Sequence, residues 1–129
     1  MSADTPIVGL FFFQRSPAER RQRPLVLLIE DDAAGLDLYA TLVDDDLSVL
    51  AATCGETGYA LACSEEPDAV LIDARLPDMD GLGVCQRLRA NPDTASIPVI
   101  VFTHPCSTDL LLATLNSSLA RERTAASSR

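Results

Sequence analysis

Two hydrophobic periodicities alternate along residues 24–119 of this 129-residue chain. Short, continuous apolar runs predict strands that are covered on both faces of a sheet. Between these runs, apolar residues recur every three to four positions, which predicts amphipathic helices. The predicted strands are Leu25–Ile29, Ser48–Thr53, Ala69–Ile72 and Pro98–Phe102. Four helices are predicted. The first follows Asp32, the second and third run over Gly55–Ser64 and Gly81–Ala90, and the fourth begins at Ser107 or Thr108.

The alternation of strand and helix indicates the fold class. A β-α-β-α-β-α-β-α order predicts an α/β fold, with a parallel sheet and helices on both of its faces. Asp32 stands where the N-cap of the first helix belongs. Helical spacing also predicts the side chains that face the core, and these include Tyr39, Val43, Leu82 and Leu110.

The length is that of one domain, and the pattern divides the chain into three parts. Residues 24–120 are predicted to form the folded domain. Residues 1–23 are expected to be a flexible N-terminal extension, although Ile7–Phe13 has the composition of a strand. After Leu119 there is neither the apolar run of a fifth strand nor the periodicity of a fifth helix, so residues 121–129 are expected to be a disordered tail.

Composition and charge argue against several functions. The net charge of −9 disfavours nucleic-acid binding by the chain itself, and no apolar stretch is long enough to span a bilayer. The four cysteines lack a Cys-x-x-Cys pair, and we interpret them as small buried side chains in a reducing compartment. We therefore expect a cytoplasmic protein without nucleic-acid or membrane partners.

Acidic side chains follow two of the predicted strands. Glu30, Asp31 and Asp32 come directly after the first strand, and Asp73 comes directly after the third. The C-terminal ends of parallel strands meet at one edge of the sheet, where open α/β folds usually carry their sites. Crowded carboxylates repel one another unless they share protons or a cation. The sequence therefore predicts a divalent metal site at this edge.

Three sequence blocks carry a resemblance to a known family. They are Val-Leu-Leu-Ile-Glu-Asp-Asp at 26–32, Leu-Ile-Asp-Ala-Arg-Leu-Pro-Asp-Met-Asp-Gly at 71–81 and Ile-Pro-Val-Ile-Val-Phe-Thr at 97–103. In this order and spacing they resemble the receiver domains of two-component response regulators, over Pro24 to Leu119. The resemblance implies a flavodoxin-like, doubly wound parallel sheet with four recognisable βα units.

The resemblance also implies a function in a phosphorelay, in which a histidine kinase or phosphotransfer protein passes a phosphoryl group to Asp73. It implies Mg²⁺ as cofactor, held directly by Asp31 and Asp73 and through water by Glu30. The backbone carbonyl of Arg75 would supply a further ligand. Thr103 matches the switch hydroxyl that hydrogen-bonds the new phosphoryl group. Such a chain is a signalling module rather than an enzyme, and its downstream partner is not identified.

The loop after Asp73 contains proline, glycine and two further acids. Pro77 and Gly81 are expected to shape this loop so that Asp73 faces solvent. We interpret Asp78 and Asp80 as turn formers with solvated carboxylates rather than as metal ligands.

The chain departs from the family at its C-terminal side, where the fifth strand, its lysine and the fifth helix have no counterpart. All ten basic residues are arginines, so the lysine that pairs with the phosphoryl group is absent. Arg121 and Arg123 lie shortly before its expected place, but arginine does not simply replace a compact ammonium group. His104 stands where the family favours a small residue. We therefore expect Mg²⁺ to supply the only positive charge at the site.

Three functions from different classes are compatible with these residues. The leading hypothesis is a single-domain receiver that accepts a phosphoryl group and signals by protein contact. The alternative is a pseudo-receiver or truncated remnant that acts only as a protein-interaction module, which the absent lysine favours. A Mg²⁺-dependent phosphohydrolase is disfavoured, because such enzymes typically need a second acid or base just beyond the nucleophile, where this chain has Arg75.

The absent fifth strand leaves a question about the edge of the sheet. An unpaired fourth strand would invite pairing or aggregation. One hypothesis is that Ile7–Phe13 occupies this edge, and the other is that the N-terminal residues are an unstructured leader.

Overall fold

The structure is a computed structural model that describes residues 23–31, 34–103 and 106–127. The strands are β1 (Leu25–Ile29), β2 (Ser48–Ala52), β3 (Ala69–Asp73) and β4 (Val99–Phe102). The helices are α1 (Ala34–Asp44), α2 (Gly55–Glu65), α3 (Gly81–Ala90) and α4 (Thr108–Ser127). All strand pairs are parallel, in the order β2-β1-β3-β4. The predicted flavodoxin-like α/β fold with four βα units is confirmed.

The two central strands, β1 and β3, are buried along their whole length. Each of their residues meets a helix layer on one face of the sheet or on the other, and this explains the continuous apolar runs in the sequence. β4 is mostly half-buried, and within the described part of the chain it pairs only with β3.

Two hydrophobic cores lie on opposite faces of the sheet. α1 and α4 pack on the face that carries Val26 and Leu28, whereas α2 and α3 pack on the face that carries Leu27 and Ile29. A right-handed crossover from β4 to a strand beyond it would lie on the α2–α3 face. α4 packs against α1 and β3, on the opposite face of the sheet, so it is not the helix of such a crossover.

The last helix is longer than predicted. α4 continues to Ser127, so the prediction of a disordered tail is wrong for residues 121–127. This segment lacks apolar periodicity, but its alanine, arginine and glutamate residues have high helix propensity. A helix that has already formed adds such residues readily. The preceding turns are held to the core by the buried side chains of Leu111, Leu115 and Leu119.

Four side chains that were predicted to face the core are exposed. In α1, Tyr39 and Val43 are 39% and 46% exposed, whereas Leu38 and Leu42 are buried. The other two exposed side chains are Leu82 and Leu110. Apolar residues occur on most sides of α1, so two overlapping stripes satisfy the helical period. The docking of the helix on the sheet selects between them.

Some predictions concern residues outside the described part of the chain. They are the flexible extension over residues 1–22, the strand-like segment Ile7–Phe13, the N-cap at Asp32 and the neighbour of Thr103, His104. The side chain of Arg123 also lies outside it. These predictions stay open.

Two findings bear on the predictions from composition. No helix in the described residues is long and apolar enough to cross a membrane. The four cysteines are free thiols, three of them half-buried and Cys106 exposed. The prediction of buried cysteines is therefore wrong. Cys54 directly precedes α2, Cys63 and Cys85 lie on the half-buried sides of α2 and α3, and Cys106 lies in the loop before α4.

Candidate functional site

Two of the predicted site residues lie side by side at the C-terminal edge of the sheet. Asp73 is the last residue of β3, and Glu30 directly follows β1. The residues before them, Ile29 and Ile72, are partners in the ladder. Both acids are only 6% exposed, so the prediction that Asp73 faces solvent is wrong, because the loop after β3 covers the strand end. Asp31, one position after Glu30, is exposed. The fold therefore places these acids at one edge of the sheet, as the sequence predicts.

Thr103 lies at the same edge, on the other side of Asp73. It directly follows β4, whose last residue, Phe102, pairs with Asp73 in the ladder. Thr103 is exposed. Its backbone therefore stands one residue beyond the strand end, next to the predicted acceptor.

The burial of Glu30 depends on how α1 begins. Gly35 packs against the Glu30 side chain so closely that a Cβ atom at position 35 would collide with Cγ of Glu30. The N–H of Glu30 donates to the carbonyl oxygen of Ala52 at 2.9 Å, which continues the ladder beyond β1. Sequence reasoning missed Gly35. The available signal was a glycine near the start of a helix, where it lowers helix propensity.

The loop after β3 folds back over the backbone of Asp73. The N–H of Ala74 donates to the carbonyl oxygen of Phe102 at 2.7 Å, and the N–H of Gly81 donates to that of Ala74 at 2.9 Å. A Cβ atom at Gly81 would lie 2.5 Å from the carbonyl oxygen of Asp73. Such an approach is too short for any side chain, so the loop needs glycine at this position.

The carboxylate of Asp73 is oriented by the same loop. The backbone N–H of Arg75 donates to Oδ1 of Asp73 at 2.9 Å. A hydrogen bond to a carboxylate is charge-assisted and restricts its direction. The backbone of Arg75 thus lies directly against the predicted acceptor, where its carbonyl oxygen was predicted to serve as a metal ligand.

Two acids of this loop cap helices. Oδ1 of Asp78 accepts from the N–H of Gly55 at 2.7 Å, and Oδ2 accepts from the N–H of Glu56 at 2.9 Å, at the start of α2. Asp80 is the N-cap of α3 and accepts from the N–H of Gly83 at 2.7 Å. The N–H of Gly55, and then that of Glu56, hold the pKa of Asp78 below its usual range, because they stabilise the carboxylate.

Sequence reasoning missed the contact between Asp78 and α2, since it treated this acid as a solvated turn former. The signal that could have indicated it is Cys54, the N-cap residue of α2, which makes no side-chain hydrogen bond to the helix amides. Helices prefer Ser, Thr, Asp or Asn at this position. A poor N-cap residue suggests that another segment satisfies the amides at the helix start.

The oxygen atoms at this edge are of the kind that Mg²⁺ prefers. Mg²⁺ uses one or two carboxylates and keeps several waters or phosphate oxygens, and Glu30, Asp31 and Asp73 with the Arg75 carbonyl match that requirement in chemical type. In residues 23–31, 34–103 and 106–127, no group of three or more His, Cys, Asp or Glu side chains is arranged to hold a metal ion. The donor set therefore fits Mg²⁺ only with oxygen atoms from water or a phosphoryl group completing the shell.

The fold and this edge of the sheet agree with a family comparison. The model of the response regulator receiver domain matches residues 26–120. The chain therefore belongs to the receiver-domain family of two-component response regulators.

Curated relatives agree with this assignment. The DNA-binding dual master transcriptional regulator RpaA of Synechocystis sp. is 42% identical over 81 residues, which cover 62% of this chain and 34% of the relative. The response regulator PleD of Caulobacter vibrioides is 37% identical over 79 residues, covering 60% of this chain and 17% of the relative. Protein PilH of Pseudomonas aeruginosa is 35% identical over 79 residues, which cover 60% of this chain and 65% of the relative. The match thus spans less than two thirds of each of these relatives.

Solved structures show the same fold. A putative response regulator from Chloroflexus aurantiacus has a TM-score of 0.71 and 22% identity, covering 76% of this chain and 98% of that one. The receiver domain of the sensor histidine kinase PA1611 from Pseudomonas aeruginosa has a TM-score of 0.70 and 20% identity, with coverage of 76% and 98%. That receiver domain has a magnesium ion coordinated in its active-site cleft.

Proposed function

We propose that this receiver domain accepts a phosphoryl group on Asp73 from a histidine kinase or a phosphotransfer protein. The observation that carries the proposal is the setting of Asp73. It ends a central strand, is nearly buried beside Glu30, and has one carboxylate oxygen oriented by the N–H of Arg75. A carboxylate at such a position can act as a nucleophile and form an acyl phosphate.

The transfer itself requires an in-line approach. One carboxylate oxygen of Asp73 attacks the phosphorus atom, the bond between phosphorus and the donor atom breaks, and its electron pair leaves with the donor. Arg75 holds the carboxylate through its N–H while this occurs. The product is a mixed anhydride of Asp73 and phosphate, which Thr103 would then hydrogen-bond.

The metal assignment follows the chemistry of the available ligands. Asp31 and Asp73 would bind Mg²⁺ directly, Glu30 would bind it through water, and the carbonyl oxygen of Arg75 would complete the protein ligands. When bound, Mg²⁺ neutralises charge on the phosphoryl oxygens. Gly35 supports this set by keeping Glu30 at the sheet edge.

The proposal includes partners and setting. Receiver domains interact with histidine kinases or phosphotransfer proteins, and we assign the phosphoryl donor of this chain to that class. The signal would pass by protein contact in the cytoplasm, by a module that is not a turnover enzyme. The net charge of −9 supports a domain that does not itself bind nucleic acid. The single-domain form of the function stays a prediction.

One observation favours a second candidate function. The chain contains no lysine, so the ammonium group that the family places against the phosphoryl group is absent. In a pseudo-receiver, Asp73 would remain unmodified and the domain would act by binding alone.

A labelling experiment separates the two functions. The protein is incubated with Mg²⁺ and acetyl phosphate, and its intact mass is measured. We expect one added phosphoryl group on the wild type, none on Asp73→Asn, and normal labelling of the control Asp109→Asn, which changes an exposed acid in α4. Removal of Mg²⁺ with a chelator should abolish labelling.

The remaining outcomes of this experiment discriminate against the proposal. An unlabelled wild type would favour the pseudo-receiver. Continuous release of phosphate that is lost in Asp73→Asn, without any accumulation of the phosphorylated protein, would instead show a phosphohydrolase.

A further inference from the structure

Arg75 is the arginine that follows the acceptor most closely in the sequence. It lies two residues after Asp73, on the loop that covers the strand end, and its backbone N–H is 2.9 Å from Oδ1 of Asp73. The side chain of Arg75 is exposed. Within the described residues, it makes no ion pair, side-chain hydrogen bond or ring contact.

Other arginines of the described chain are already engaged. Arg87 lies 3.0 Å from a carboxylate oxygen of Glu56 and 4.1 Å from the centre of the Tyr59 ring, and the Glu56 hydrogen bond raises its pKa. Nη1 of Arg89 donates to two backbone carbonyl oxygens at 2.9 and 2.8 Å, in the turn between α3 and β4. These two guanidinium groups hold elements together and are not available to a ligand.

Two further arginines stand elsewhere. Arg23 precedes β1 and therefore lies at the opposite edge of the sheet from Asp73. Arg121 lies in the extended part of α4, where its guanidinium donates to Oγ of Ser118. Arg121 was the nearest described arginine in sequence to the position of the family lysine, but its helix packs on the α1 face.

The two other acids of this loop, Asp78 and Asp80, make no ion pair with Arg75. Asp80 is the backbone partner of Arg75 in an isolated bridge, but its carboxylate caps α3. Asp78 lies in the same loop, but its carboxylate binds two amides of α2. Both negative charges are therefore stabilised by helix N-termini. The guanidinium of Arg75 keeps its positive charge without a partner from its own loop.

We propose that the guanidinium of Arg75 contacts the phosphoryl group on Asp73 and supplies the positive charge that a lysine supplies elsewhere in the family. This inference rests on the proposed function. A guanidinium is a planar fork of N–H donors that matches two phosphoryl oxygens at once, and such charge-assisted bonds are strong. Charge placed against the transferring group stabilises the transition state.

Arg75 then has three separate roles at one position. Its N–H orients the Asp73 carboxylate, its carbonyl oxygen is available to Mg²⁺, and its side chain faces the phosphoryl oxygens. In the step, the Asp73 oxygen bonds to phosphorus, the P–O bond of acetyl phosphate breaks, and the electron pair leaves with acetate.

The test compares Arg75→Ala, Arg75→Lys and a matched control, Arg121→Ala. Each alanine variant removes one positive charge, but only the first changes the loop beside Asp73. The rate constant for labelling by acetyl phosphate at saturating Mg²⁺ should fall about 10- to 100-fold in Arg75→Ala. It should stay at the wild-type value in Arg121→Ala, and Arg75→Lys should recover part of the loss because charge is restored without the fork.

A second readout does not depend on turnover. Beryllium fluoride with Mg²⁺ mimics a phosphoryl group on a carboxylate, and the guanidinium Nε–H signal of Arg75 in ¹H–¹⁵N spectra should shift when it binds. Comparison with Arg75→Lys assigns this signal, and the Arg121 signal should not move.

The outcomes separate the inference from the proposed function. Equal labelling rates for the wild type and Arg75→Ala, with no shift of the Arg75 signal, would overturn the inference and leave Asp73 as the acceptor. A wild type that is neither labelled nor responsive to beryllium fluoride would overturn both.

Discussion

Asp78 joins two segments that lie 23 positions apart in the sequence, the loop after β3 and the start of α2. This bond links the loop that carries Arg75 to a neighbouring helix of the scaffold. The residue at the start of α2, Cys54, leaves the helix amides uncapped, so Asp78 takes the part of an N-cap from a distance.

We expect Asp78→Asn to destabilise the domain at neutral pH, because an amide presents one acceptor oxygen and no negative charge to the two N–H groups. The pKa of Asp78 is lowered in the folded state, so the ionised carboxylate stabilises the fold at a pH above the ordinary aspartate pKa of about 4. This stabilisation is lost as the pH falls through the lowered pKa. Urea unfolding at pH 7 and pH 3 measures this difference.

The control for that prediction is Asp93→Asn, which changes an exposed acid in the turn after α3. It should have little effect at either pH. If wild type and Asp78→Asn differed by the same free energy of unfolding at both pH values, the ionised carboxylate would not be the stabilising form.

At the scale of single residues, the sequence predicted the positions of the acids that stand at the ends of strands. Glu30 and Asp73 are placed by the apolar runs before them, since a buried strand must end where charge begins. Asp78 and Gly35 were missed because their roles depend on segments that pack against them, and no local pattern contains that information.

At the scale of elements, α1 shows why helical periodicity can select the wrong face. Its apolar residues form two overlapping stripes, and the sheet covers the one that contains Leu38 and Leu42. The stripe with Tyr39 and Val43 is left exposed. Either face would satisfy the sequence pattern, because the pattern does not include the sheet.

We expect Leu42→Ala to lower the free energy of unfolding by about 2–5 kcal/mol, since Leu42 is fully buried and its truncation leaves a cavity. The neighbouring control, Val43→Ala, should change it by less than about 0.5 kcal/mol, because Val43 lies on the exposed side. Urea unfolding of both variants measures the difference. A larger loss in Val43→Ala than in Leu42→Ala would mean that α1 docks on the sheet through the other stripe.

At the same scale, α4 extends beyond its predicted end. Residues 121–127 lack an apolar stripe, and a sequence without such a stripe does not predict a helix. The three buried leucines of the preceding turns anchor α4, and residues with good propensity extend it. Periodicity therefore predicts where a helix packs better than it predicts where the helix ends.

At the scale of the whole molecule, the parallel sheet collects acids from separate strands on a chain whose net charge is already −9. Such a site is stabilised by a cation that binds the folded state. At a Mg²⁺ concentration 100 times the dissociation constant, binding should raise the free energy of unfolding by about 2.7 kcal/mol. Thermal unfolding with and without Mg²⁺ measures this effect.

Two controls separate binding from general screening. NaCl at matched ionic strength should give a smaller stabilisation, since it only screens repulsion among the surface charges. Asp31→Asn should remove most of the Mg²⁺ effect, because Asp31 is a predicted direct ligand. An equal gain from both salts, or an unchanged Mg²⁺ gain in Asp31→Asn, would contradict a metal site at this edge.

By itself, the sequence determined the strands, their parallel direction and the placement of Glu30 and Asp73 at one edge of the sheet. Buried strands and the polar residues at their ends are visible in the local sequence pattern. Only the tertiary structure decided which side of α1 is buried and that α4 packs beside it. It also decided that Asp78 caps α2 and that Arg75 has no acidic partner in its own loop. These outcomes depend on which distant segments dock against each other, and one-dimensional periodicity does not specify that contact.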